Sequence, residues 1–77
     1  MSTTYHREIL TAALDARIKE VTEYQVNIDN FRLAIEAVGD DPDLRAFKEQ
    51  LQDLLASSII EQRKARIMLD VIQSQLE

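Results

Sequence analysis

Apolar residues recur along the first half of the chain at alternating steps of three and four. From Leu14 the steps reach Arg17, Val21, Tyr24, Ile28, Phe31, Ile35 and Val38, and every stop except Arg17 is apolar. A repeat averaging about 3.5 residues is the seam of a helix lying along a nearly parallel or antiparallel partner helix. Within it, Tyr24, Val26 and Ile28 alternate with Gln25 and Asn27, which in isolation would read as a short strand. The helical repeat continues on both sides and no second strand offers a partner, so this segment reads as helix.

The only Gly and the only Pro then arrive together, in Val38-Gly39-Asp40-Asp41-Pro42-Asp43. Gly39 suits the left-handed residue that ends a helix. Asp41 suits an N-cap, Pro42 the first helical position after it, and Asp43 the positive end of the next helix dipole. Ser2, Thr3 and Thr4 offer caps for a first helix starting at about Tyr5. The expected fold is therefore all-α: an antiparallel, coiled-coil-like two-helix hairpin, with helices over about 5–38 and 42–75.

The seam continues in the second helix as Leu44, Phe47, Leu51, Leu54 and Ser58. With Val38 facing Leu44, the register sets Phe31 near Leu51, Ile28 near Leu54 and Tyr24 near Ser58. Further on, Val21 meets Glu61 and Arg17 meets Ala65. Arg17 and Glu61 thus fall within one turn of each other, and a buried Arg17–Glu61 pair is expected as a polar layer that fixes register. Outward snorkelling of both side chains is the alternative.

Apolar positions spread beyond one seam at the open end of the hairpin. Ile9, Leu10, Ala12, Ala13, Leu14, Ala16 and Ile18 spread over the first helix, and Ile59, Ile60, Ile67, Met68, Leu69, Val71, Ile72 and Leu76 over the second. They cannot all face a single neighbour, and a helix apolar nearly all round is buried by something. Ile9, Ala13, Ile18, Ile59, Ile60, Ile67, Met68, Val71 and Ile72 are the expected protein-interaction residues.

Composition narrows what that contact is. With 77 residues the chain is one domain, residues 1–77, and a domain this small buries only about 60% of the surface its unfolded chain exposes. Small scaffolds are stapled by disulfides, metals or oligomerisation. No Cys is present and His6 is the only His, which leaves oligomerisation into a helical bundle or assembly with a partner. A net charge of -5 disfavours nucleic-acid binding. No apolar run approaches the ~20 residues of a membrane span, and Met1 to His6 lacks the pattern of a signal peptide. A cytoplasmic protein is expected.

Candidate chemistry is sparse. Ser57 and Ser58 have no His beside them, no Gly-rich loop exists to hold phosphate, and neither an enzyme nor a cofactor or metal is expected. The acidic turn lacks the ligand spacing of a calcium loop and reads as capping. Asp29, Glu36, Glu49 and Asp53 are interleaved with Arg32, Arg45 and Lys48, the pattern of a solvated face. Arg63, Lys64 and Arg66 form a short basic cluster without aromatic residues, read as surface.

In the second helix, Phe47-Lys48-Glu49-Gln50-Leu51 is a polar start leading to Ile59-Ile60 and then Met68-Leu69-Asp70-Val71-Ile72. A Cys-free acidic hairpin of this length and plan resembles the small helical proteins of bacterial type III secretion systems. Needle subunits are similar hairpins with a proline-containing turn, comparable to Gly39-Asp40-Asp41-Pro42, but typically with paired prolines that are missing here. The chain is more similar to the small co-chaperones of the needle subunit. The resemblance covers nearly the whole chain and is one of architecture. It implies a bacterial cytoplasmic protein that pairs with a larger helical-repeat chaperone, holds the needle subunit's amphipathic helix, and uses the apolar open end as its contact surface. The residues themselves point to a non-enzymatic interaction module that self-associates or docks on a helical partner. Two other readings remain open: a small phage or mobile-element inhibitor imitating nucleic acid through the acidic face, and a subunit of a filament or assembly.

Overall fold

The computed structural model describes residues 2–77. Helix α1 runs Ser2–Val38 and helix α2 runs Arg45–Leu76, with a single 3-10 turn, Pro42–Leu44, leading into α2. The two helices pack along each other as the expected antiparallel hairpin. Helix α1 passes through Tyr24, Val26 and Ile28 without interruption. It also begins earlier than expected, with Thr4 inside it. Met1 and the side chains of Ser2 and Thr3, with the capping expected of those two, lie outside the described residues.

The turn follows the chemistry of its residues. Gly39 adopts φ +59°, and its N–H donates to the Ile35 carbonyl at 3.2 Å, closing α1 with one left-handed residue. The Asp41 carboxylate accepts from the Asp43 N–H at 2.9 Å, and Pro42 occupies the first turn where no donor is missed. Lys48 reaches back from α2 to donate from Nζ to the Gly39 carbonyl at 2.7 Å, a cation at the negative end of α1. At the opposite end, Arg7 Nη2 donates to the Leu76 carbonyl at 3.4 Å, doing the same for α2.

Every stop of the α1 stripe, Leu14 through Val38, is buried or half-buried, and Ile28 is only 2% exposed. The α2 stripe is rotated from the expected one. Lys48, Leu51, Leu55, Ser58, Gln62, Ala65, Leu69, Ile72 and Leu76 face α1, again at steps of three and four. Leu51, Ser58 and Ala65 are common to both readings, but Leu44, Phe47 and Leu54 stand exposed. Sharing one seam residue per heptad, the two stripes differ by one position in the alternate half.

The resulting rod measures 63 × 15 × 14 Å, with a radius of gyration of 17.7 Å. A compact chain of this length has a radius near 11 Å. The rod exposes 5848 Å², whereas a compact monomer of this mass exposes about 4,800 Å². Among the described residues, no large side chain is wholly enclosed, and the buried apolar set is Leu10, Ile28, Leu51, Ala65 and Ile72. Two helices alone have only one shared face to bury.

Candidate interaction surface

A hairpin closed on one seam leaves the other faces of both helices to whatever lies outside. On α2, Ile60 is 52% and Ile67 is 62% exposed, with Met68 and Val71 close behind. Their spacing sets Ile60, Ile67 and Val71 along one outward flank, with Met68 turned toward the seam beside them. Phe47 and Leu54 continue the Met68 column toward the turn, also exposed. On α1, Ile9 and Ile18 are exposed. Sequence reasoning missed Phe47 and Leu54 as surface residues because it assigned them to the seam.

Three of the expected interaction residues sit elsewhere. Ile72, at 8% exposure, is a seam residue packed against α1 and is corrected from surface to core. Its spacing of seven from Ala65 and fourteen from Ser58 places it on the buried column. Ala13 and Ile59 are half-buried at the edge of the seam.

The expected Arg17–Glu61 pair does not form. Arg17 Nη1 binds Glu20 Oε2 at 2.9 Å within α1, and Lys64 Nζ binds Glu61 Oε1 at 2.9 Å within α2. Both ions keep partial contact with water, which avoids the large desolvation penalty of a charged layer between helices. A neutral polar layer takes its place one residue along. Gln62 Nε2 donates to the Val21 carbonyl at 3.2 Å and to Gln25 Oε1 at 2.9 Å.

Charged side chains elsewhere are mostly committed to local partners or to solvent. Asp29 accepts from Gln25 Nε2 at 3.0 Å, and Asp29, Glu36, Glu49 and Asp53 are all exposed. Lys64, in the basic cluster, is held by Glu61. A shallow cleft beside the turn is lined by Asp40, Asp41, Arg45, Lys48 and Glu49, of which Asp41 and Lys48 are engaged in capping. No described helix is long and apolar enough to cross a membrane. The outward flank of α2 gathers Ile60, Ile67 and Val71 within one short stretch, whereas the exposed Tyr5, Val26 and Leu33 are spread along α1. No family model, no curated protein and no solved structure matches the chain.

Proposed function

We propose that this chain is a non-enzymatic protein-interaction module, and that its working surface is the outward apolar flank of α2. The observation that carries this reading is the exposure of Ile60, Ile67, Met68 and Val71 on a hairpin whose seam is already filled. The elongated rod also exposes about 1,000 Å² more than a compact chain would, comparable with one partner's share of a standard interface. The complementary occupant is an amphipathic helix laid along the flank, with anchors at steps of three and four.

The finer form of the proposal comes from the resemblance alone. In it the protein is a bacterial cytoplasmic co-chaperone that, with a helical-repeat chaperone, holds a secretion needle subunit.

A photo-cross-linking residue at position 67, compared with one at the solvated position 22, tests both forms in cells. Adducts formed through position 67 and not through position 22 support the module. Adducts at neither position, or equally at both, overturn it. A needle subunit in the adduct supports the finer form. An adduct with an unrelated helical protein removes the finer form and keeps the module.

A further inference from the structure

We infer that the helix covering the α2 flank is α2 of a second copy, laid antiparallel about a two-fold axis beside Gln62 and Arg63. The inference rests on reading that flank as a docking surface and names its occupant. Its warrant is the order of side chains along the exposed strip. Leu54, Ser57, Glu61, Lys64, Met68 and Val71 follow one another at steps of three and four beside the hairpin seam, Glu61 half-buried and the other five exposed. Reversing the strip against itself opposes Leu54 with Val71 of the second copy and Ser57 with its Met68. Glu61 then meets Lys64, and the flanking Ile60 meets Ile67. A leucine meets a valine, a small residue meets a long one, and an acid meets a base, each twice by symmetry.

Alternative arrangements lose this match. A parallel pair opposes Glu61 with Glu61 and Lys64 with Lys64, and like charges face to face disfavour association. A slip of one heptad sets Glu61 against Ser57 or Val71, and Lys64 against Leu54 or Met68, leaving both charges desolvated and unpaired. The outer face of α1 also carries apolar residues, among them Ile9, Val26 and Leu33. Reversing that face on itself lines Glu8 and Asp15 against Glu36 and Asp29, acid upon acid. On α2 the charge nearest the edge, Asp53, faces the uncharged Ser74. In the monomer Glu61 and Lys64 bind each other at 2.9 Å. In the dimer each gains a second opposite charge, so four alternating charges form one closed layer, and the second partner offsets the desolvation that a single pair between helices does not.

Sedimentation equilibrium of the purified chain, with Glu61→Lys, Lys64→Glu and their equimolar mixture, tests the inference. The parent is expected to move from 8.9 kDa toward twice that mass as concentration rises. Each single reversal is expected to weaken association at least about tenfold, and mixing the two variants to restore it to within about threefold. Rescue in trans separates an inter-chain contact from damage within one helix. As a second measurement, oxidation of the Ser57→Cys/Met68→Cys variant of this Cys-free chain is expected to trap a covalent dimer. The two positions are about 16 Å apart along their own helix, too far for a bridge within the chain. A parent that stays monomeric overturns the inference, as does a dimer indifferent to the reversals or a mixture that fails to recover. Those outcomes leave the interaction-module reading to its own cross-linking test, which a different partner still satisfies.

Discussion

Gln62 on α2 donates its Nε2 hydrogens to both Gln25 Oε1 (2.9 Å) and the Val21 carbonyl (3.2 Å) on α1. The seam is otherwise largely apolar, and this amide layer ties the two helices at one height. A hydrophobic seam alone tolerates a slip of one heptad with modest loss, whereas a slip here would strand a buried amide. Gln62 is 9% exposed, so water does not readily replace the lost partners. The layer specifies alignment more than it adds stability.

Two substitutions separate those roles. Gln62→Leu removes the donor and fills the space with apolar volume, so stability to urea is expected to stay within about 1 kcal/mol of the parent. Gln62→Glu keeps the shape but sets a carboxylate against two acceptor oxygens, and is expected to lower stability by roughly 1–3 kcal/mol at neutral pH. Equal losses in both variants would contradict this account.

The α1 seam was legible because its stripe has no competitor: the residues beside Val21, Tyr24 and Ile28 are mostly polar. Helix α2 carries two overlapping stripes. Near the turn, Phe47 looks better buried than Lys48 and Leu54 no worse than Leu55, and a reading that starts at the turn follows Phe47 and Leu54. Toward the C-terminus the balance reverses. The expected register would bury Glu61, while the observed stripe buries Gln62 and brings Leu69 and Leu76 inward. Burying a carboxylate is far more costly than burying a hydrogen-bonded amide, and that difference decides the rotation. The Arg17–Glu61 expectation failed for the same reason. Turn chemistry, by contrast, is local, and Gly39 and Asp41 could be read directly from their residue types. Which apolar positions stand outside the seam depends on the rotation of α2, so the sequence showed their surplus and not all of their places.

Gly39 carries the turn through its backbone. A Cβ there would meet only the Glu36 carbonyl oxygen at 3.9 Å, an ordinary contact, so space is not the constraint. With φ at +59°, Gly39→Ala is expected to lose about 1–2 kcal/mol, and Gly39→Asn clearly less. Asp41→Ala is expected to lose about 1 kcal/mol by freeing the Asp43 N–H, with Asp41→Ser retaining most of it. Thermal melts at fixed protein concentration check all four, each kcal/mol lowering Tm by roughly 4–8 °C in a chain this small.

Ile28 and Ala65, each 2% exposed, test the seam from opposite directions. Ile28→Ala opens a cavity in a thin core and is expected to destabilise by roughly 2–5 kcal/mol, enough to unfold a marginal hairpin. Ala65→Leu adds volume at a fully buried small residue of the seam and is expected to lose roughly 1–3 kcal/mol. Far-ultraviolet circular dichroism with urea titration measures both. Little change in either would mean that the seam lies elsewhere.

Ile67 and Ile72 are both isoleucines near the open end, and the structure assigns them opposite fates. Ile67 is 62% exposed and belongs to the outward flank, while Ile72 is 8% exposed and closes the seam. Ile72→Lys drives an ammonium into the contact with α1 and is expected to cost several kcal/mol even at high dilution. Ile67→Lys replaces a water-exposed side chain, so in dilute protein its stability is expected to match the parent within about 0.5 kcal/mol. At high concentration the two proteins should diverge. Whatever binds the folded chain raises its apparent stability by mass action, and the parent's Tm should climb with concentration while that of Ile67→Lys stays flat. Equal sensitivity of the hairpin to both substitutions at dilution would place Ile67 in the core and remove the flank as a docking surface.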